Sequence, residues 1–545
     1  MHTNLFKRIL PLVLVLIAVG AQAQFMPEQH RAEVYNYLYR MAQKGLVVFD
    51  DQIRPVNRLH IEACLDSLNQ QQAKLSAIEK AELQFYLQEY SDAKSLANPQ
   101  QGFRYTKKDG FNRWRGAVAQ NEYSLLRIDP LVSMTWITGN GRNVLRTGSG
   151  ARIYGYTGKW GYFLSLTDFY ERGTGFDSTR QNTPETGMVG RIAADKSSVN
   201  YPELRAGISY SWKHGSIGFI YDHLLWGYGE QARVVLSDKA PAYPQIRLDL
   251  RPFKWLRFQH THGWLNSRLL DSNRTYGTGS GVYANAREHF IPKFMAQHSI
   301  IFTPMKGLDL SVGESMVYSD NFNPVYLMPI VFFKAYELVT SNENINAGSN
   351  GQFFMGISSR NQLKNTHLYA TWFVDEIRIS TLFNKQKRRN QSAIQIGGSI
   401  TDLGIPYLTL GAEYTRIYPF TYNNLIPAQT FTHAGFQLGD WIGNNASRSM
   451  IYAKYTPIPR LKCQLSYQLI KKGGPGSIAQ QYFAVPQPIF LFDRQFDRTN
   501  ITGSISYEWI NNLTIHASGS FTQIKPVNGN ATNDQMIRAG VQFGF

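Results

Sequence analysis

Histidines beside acids or hydroxyls are where catalysis would first be sought in this chain. Asp222-His223 and His298-Ser299 are adjacent pairs of the kinds hydrolases use, where an imidazole takes or returns a proton for a neighbouring group. In an extended chain, neighbouring side chains point to opposite faces, so neither pair makes a site by itself. His260 and His262 share a face and could hold a metal with a third ligand, but no third ligand stands at a supporting spacing. Gly139-Asn140-Gly141 lacks the strand-to-helix setting that a phosphate-cradling loop requires. These residues argue for no catalytic group, no metal and no cofactor; lumen or interface histidines are the alternative.

Binding chemistry is better represented. Residues 417–446 hold Tyr418, Phe420, Tyr422, Phe431, Phe436 and Trp441, and residues 472–499 hold Tyr482, Phe483, Phe490, Phe492 and Phe496 with Arg494 and Arg498 interleaved. A third stretch, 384–390, carries Lys385, Lys387, Arg388 and Arg389. Sugar rings present apolar C–H faces that stack on aromatics, and uronic-acid or pyruvyl carboxylates match the two-pronged guanidinium. Lys385, Lys387, Arg388, Arg389, Trp441, Arg494 and Arg498 are therefore the candidate residues for an acidic polysaccharide. The same aromatics could instead fold the loops inward as a plug or form an interfacial girdle. The formal charge of +17 fits an anionic partner, and its excess falls after residue 97, while the helical stretch before it is slightly acidic.

Those residues need a scaffold, and the chain announces one in three parts. Lys7-Arg8, an apolar run from Ile9 to Ala21 and Ala21-Gln22-Ala23 read as a signal peptide over 1–23, with the mature chain starting at Gln24. Export makes nucleic acid an implausible partner. Residues 24–98 read as a helical domain. Val34, Leu38 and Met41 share one face, Ile61, Leu65 and Leu68 another, and Ser76 with Glu79 forms a capping box opening a third helix. Such a small unit buries too little apolar surface alone and is expected to pack on something larger.

From residue 99 to 545 the period falls to two. Ile537, Ala539, Val541, Phe543 and Phe545 alternate with Arg538, Gly540, Gln542 and Gly544. Strands are expected at 513–524, at 461–470 and 447–456 about a short turn, and at 407–416 and 391–401 about another, with long connections at 525–535, 472–499 and 417–446. Short turns alternating with long loops is the pattern of an outer-membrane barrel with short periplasmic turns and longer external loops. Beyond residue 24 no apolar run reaches the length of a spanning helix, and a mean hydropathy of −0.31 is what alternation of lipid-facing with lumen-facing residues gives. At roughly 24 residues per strand and connection, about 18 antiparallel strands would fit. Cys64 and Cys463 fall in different parts and make no disulfide framework.

Against that background, several motifs resemble the Wzi capsule-assembly family. They are Val34-Tyr35-Asn36-Tyr37-Leu38 with Gly45-Leu46-Val47, then Arg54-Pro55 and Arg58, then Trp226-Gly227-Tyr228-Gly229 followed by Val235-Leu236-Ser237 with Ala240, Pro244 and Ile246. Asn323-Pro324 ahead of the aromatic stretch 332–336, and Leu368-Tyr369 before Asp375-Glu376, continue the series. The resemblance implies an eighteen-strand barrel with a small periplasmic helical domain and a lectin-like role without catalysis. It would hold acidic capsular or exopolysaccharide at the cell surface, with outer-membrane lipid around it and capsule export machinery as a further candidate partner. Trp226, Gly227 and Gly229 are its motif residues, although a Gly-x-Gly can equally serve close strand packing. Two other readings stay open: a channel for anionic solutes, since a basic lumen selects anions, and an outer-membrane lipase.

Overall fold

The computed structural model describes residues 25–278, 286–343, 348–377 and 390–544. The signal-peptide stretch 1–23, Gln24, the basic residues Lys385, Lys387, Arg388 and Arg389, and Phe545 lie outside these.

Four helices open the chain: α1 (Val34–Gln43), α2 (Arg58–Asn69), α3 (Ala77–Glu89) and a short α4 (Asp92–Ala97). Their starts follow from side chains that satisfy free backbone N–H groups. Asn57 accepts from Leu59 N at 3.2 Å, and Ser76 and Glu79 complete the reciprocal capping box expected from sequence. After α1 the chain leaves the helix through Gly45 at φ +70°, a conformation that suits glycine. Val34, Leu38, Met41, Ile61, Leu65, Leu68 and Leu83 interlock as one small core.

The remainder is a closed antiparallel barrel of 18 strands. In chain order these are β1 (Ser124–Gly139), β2 (Arg142–Thr157), β3 (Trp160–Thr174), β4 (Ser198–Trp212), β5 (Gly215–Asp222), β6 (Tyr243–Phe253), β7 (Leu256–Leu270), β8 (Phe290–Met305) and β9 (Leu308–Ser319). They continue as β10 (Asn350–Arg360), β11 (Thr366–Ile377), β12 (Asn390–Thr401), β13 (Leu408–Ile417), β14 (Ala446–Tyr455), β15 (Leu461–Lys472), β16 (Phe496–Ile510), β17 (Leu513–Pro526) and β18 (Thr532–Phe543). Closure is by β18 on the second half of β1, Ile537 opposite Thr138 and Phe543 opposite Val132, while a hairpin of Gly102–Lys108 and Trp114–Gln120 pairs with the first half of β1.

The two-residue period sets the faces. On β18, Ile537 and Val541 face outward and exposed, with Met536 and Arg538 turned inward. Val132, Met134 and Trp136, Leu164 and Leu166, Ile501 and Ile505, and Leu465 extend the outer apolar surface around the barrel. A surface of this kind is stable only against hydrocarbon. The connections at one end are all short: 158–159, 213–214, 254–255, 306–307, 361–365, 402–407, 456–460 and 511–512. At the other end 175–197, 223–242, 271–289, 320–349, 418–445 and 473–495 are long. The alternation is less strict than the sequence suggested. Asn140-Gly141 joins β1 to β2 as a tight turn at the long-loop end, and the connection expected at 525–535 contracts to 527–531 because β17 and β18 run further.

The helical domain closes the short-turn end. Lys44 pairs with Asp402 at 2.9 Å, Lys306 Nζ donates to Gly45 O at 2.9 Å, and Glu33 pairs with Lys462 at 2.6 Å. Behind it the lumen is filled by its own loops. Residues 223–242 and 418–445 fold inward and form one apolar core with inward-facing wall residues such as Leu265, Met295, Val317 and Phe354. Tyr422, Phe431, Phe436 and Trp441 belong to this plug, so the loop expected to reach outward turns into the barrel instead. The physical reason is area: these aromatics bury far more apolar surface in the lumen than they could on a solvated rim.

Trp226 is the anchor of that plug. It is fully buried, pairs with Ile53 across a two-residue ladder, and meets Phe354 edge-on at 5.9 Å. Gly227 holds φ +101° and donates to Gln52 O at 2.9 Å, and at Gly229 a Cβ would stand 2.1 Å from Ala232 O. Gly227 thus takes a φ that side chains rarely adopt, and Gly229 admits a backbone approach that no side chain would allow. Trp226→Ala is expected to cost about 3–5 kcal/mol. The check is protease cutting within 223–242 while the barrel still resists unfolding in cold SDS.

Candidate functional site

Inward-facing residues of β16, β17, β18, β1 and β2 leave a space of about 200 Å³ beside the plug. Alternation along each strand puts polar groups there: Asn500 and Thr502 from β16, Ser518, Ser520 and Thr522 from β17, Asp534 and Arg538 from β18, Arg142 and Arg146 from β2. The 175–197 loop closes it with Arg180 and Glu185, and Arg498 also lines it, from β16 and not from the loop expected at 472–499. A second space of about 320 Å³, lined by His30, Arg31, Arg54, Arg233 and Asp238, shares Pro184, Glu185 and Gln231 with the first and leads toward the helical end.

Most of the cations here are internally paired. Arg142 meets Asp534 at 2.6 Å, Arg146 meets Glu171 at 2.6 Å, Arg180 meets Glu185 at 3.6 Å, and Arg538 also binds Glu185. Burial alone would raise the Glu185 carboxyl; Arg538, Arg146 and Arg180 outweigh it and hold the group below the usual carboxylate range. Arg498 differs. It donates to Asn182 O at 2.6 Å and lies 5.4 Å over the Trp441 ring, and among the described residues no carboxylate pairs with it. Its Nε is buried without a partner. A planar cation on an aromatic face with donors left over can take a carboxylate in two-pronged fashion.

The sequence candidates therefore separate. Trp441 and Arg498 come together, Trp441 as a plug residue rather than a loop-tip aromatic. Arg494 stays exposed and is engaged by Asp497 at 2.5 Å. Lys385, Lys387, Arg388 and Arg389 lie outside the described residues. Trp226, Gly227 and Gly229 sit in the plug and in its joint to residues 51–54, away from this space except where the second cavity touches Gly229. Arg142, Arg146, Arg180 and Arg538 were missed; for the three on strands, the signal was a basic residue at an inward position of a period-two strand.

The histidine pairs are dispersed. Asp222 is held by Arg205 at 2.7 Å, and His223 packs against His30 with ring centres 4.6 Å apart. His260, His262 and His298 lie on the outer face of the wall, His262 bonded to Tyr318 Oη at 2.7 Å and His298 to Glu314 at 3.1 Å.

Asp51 ties this interior to the helical domain. It meets Arg54 at 2.5 Å, Arg360 of β10 at 2.7 Å and Arg233 of the plug at 3.7 Å. Burial alone would raise its carboxyl, but Arg54, Arg360 and Arg233 prevail and hold it well below the ordinary range. A depressed carboxylate stabilises above its unfolded pKa, near 3.9, and its contribution is lost as pH falls. The share of the docking that Asp51 supplies should therefore be constant from neutral pH to about 4 and weaken below it, read as the difference in protease release between the parent and Asp51→Asn across a pH series.

No family model matches the chain, and no curated protein does. Among solved structures, one from Escherichia coli aligns with 96% of this chain and 100% of its own length at TM-score 0.59 and 12% identity. It is Wzi, described as an outer membrane protein involved in group 1 capsule assembly and a carbohydrate-binding β-barrel. This chain has the Wzi fold. The likeness of fold agrees with the resemblance to the Wzi family stated from sequence. Acinetobacter baumannii OccAB2 and Pseudomonas aeruginosa OccK3 align with 77% of the chain and 97% and 94% of their own, at TM-scores 0.45 and 0.40 and 10% and 11% identity.

Proposed function

We propose that the protein is a non-enzymatic outer-membrane binder of acidic capsular or exopolysaccharide, with its helical end in the periplasm and its long loops outside. Arg498 carries the reading: a guanidinium on the face of Trp441, lining a polar lumen space, with no acidic partner among the described residues. A carboxylated sugar presents the two features this pair accepts, an apolar ring face and a bidentate anion. The capsule-linked, carbohydrate-binding description of Wzi supports the same reading. The inward plug weighs against an open channel, and among the described residues the histidines form no Ser–His–acid triad: Ser358 meets His367 at 2.8 Å, but the other ring nitrogen faces the Tyr39 hydroxyl. Outer-membrane lipid surrounds the barrel, and the exposed side of the helical domain is where capsule export components would meet it.

The test pairs two measurements on the full mature chain. Binding to a polyuronate should be salt-sensitive and exceed binding to neutral dextran, and conductance in a planar bilayer should stay far below that of an open barrel of this size. Equal affinity for both polymers, or steady large conductance, would overturn the proposal.

A further inference from the structure

The long connection between β9 and β10 folds down over the outside of the wall. The register fixes the faces. Met295 and Val317 point into the lumen core, so Phe294, Ala296, His298 and Ile300 on β8, and Val312, Glu314, Met316 and Tyr318 on β9, point outward. Ile300 and Val312 are exposed, as lipid-facing residues should be. The outward residues nearer the long-loop end are buried. A separate apolar core covers them, built with Tyr326, Phe333, Val331 and Tyr336 from the connection. Helix α5 (Phe333–Glu343) is fastened there: Glu314 accepts from Phe333 N at 2.6 Å, and the Phe333 ring lies 4.4 Å from His298.

This leaves the barrel short of apolar wall on that side. Bare lipid-facing residues on β9 run only from Leu308 to Val312, which at ~3.3 Å per residue and ~40° tilt is about 10 Å of the roughly 25 Å a membrane barrel needs. The outer surface of the covering segment supplies apolar groups in the missing band: Met328, Ile330, Phe332 and Val339 are exposed, Ile330 at 94%. Phe332 lies 6.0 Å from Phe353, an outward residue of β10 two positions above exposed Met355, so the stripe is continuous with the lipid-facing wall.

We propose that residues 328–339 are embedded in the outer leaflet and contact lipid acyl chains, replacing the wall of β7 to β9 as the membrane surface there. The polar outward groups His260, His298 and Glu314 are then sealed from hydrocarbon by this segment. Water or a protein partner on the stripe are the competing occupants.

Nitroxide labels at Ile330→Cys and Val339→Cys, in a Cys463→Ser background with Cys64 buried, test this on the full mature chain in dioleoylphosphatidylcholine vesicles. Because Ile330 is almost fully exposed, a label there disturbs no packing. Collision with oxygen should exceed collision with a water-soluble nickel chelate several-fold, matching a label at Ile505→Cys on the lipid belt. A nickel-dominated profile like that of Asn530→Cys in the 527–531 turn would overturn the proposal. So would a label shielded from both reagents.

Discussion

Replacing Arg58 by alanine should cut the helical domain loose while leaving the barrel intact. Arg58 opens α2 almost fully buried, bonded to Glu28, to Glu89 at 3.2 Å and to Asp92 at 3.0 Å. Its partners extend into the barrel: Glu89 also meets Arg113 at 2.8 Å and Arg115 at 3.0 Å, and Asp92 meets Arg127 of β1. Arg115 completes the network with Asp109 at 3.1 Å and Asp129 at 3.0 Å. Burial alone would raise Glu89 and Asp92, and the surrounding guanidiniums, Arg115 first for Glu89 and Arg58 first for Asp92, hold both below the usual range. Such a network gains little over an apolar seam, but removing one member leaves buried charge uncompensated, at about 3–5 kcal/mol. The expected result is proteolytic loss of residues 25–98 at neutral pH with an unchanged heat-modifiable barrel band. If Arg58→Ala resists protease like the parent, the seam is held by something other than these charges.

The second large effect falls on glycan binding. If Arg498 grips a carboxylate in two-pronged fashion, Arg498→Ala removes a charge-assisted pair of about 1.5–3 kcal/mol, a loss of about 10- to 100-fold in affinity for a polyuronate. Arg498→Lys keeps the charge but not the fork or the stacking, and should recover only part of it. Arg494→Ala is the control: that residue is exposed and already engaged by Asp497, so its loss should change affinity by less than about twofold. Equal weakening by both variants would indicate a diffuse basic surface, and no weakening by either would place the site elsewhere. Isothermal titration at two salt concentrations separates these outcomes, because a buried pair is screened less than a surface field.

Much of the scaffold was legible along the chain because its determinants are local. The period-two run ending at Phe543 fixes which side chains of β18 meet lipid, since adjacent residues in a strand must face opposite ways. Ser76 and Glu79 are three residues apart, and that spacing alone makes the capping box. The short-turn end follows from turn residues between strands that pair with their sequence neighbours. Loops obey no such rule. Trp441 and Arg498 stand far apart along the chain and meet only because the 418–445 connection collapses into the lumen. Whether an aromatic loop reaches out or folds in depends on the volume the closed wall leaves free, which no local pattern encodes.

The barrel, the helical cap and the alternation of faces were thus written in residue order, because backbone hydrogen bonding in hydrocarbon permits few solutions and each shows as short-range periodicity. Where the proposed chemistry sits emerged only in three dimensions: a guanidinium over a buried tryptophan with no carboxylate partner among the described residues, and an external segment covering His260, His298 and Glu314. Both depend on surfaces that exist only once the wall has closed, and burial against them outweighs what any loop gains from water.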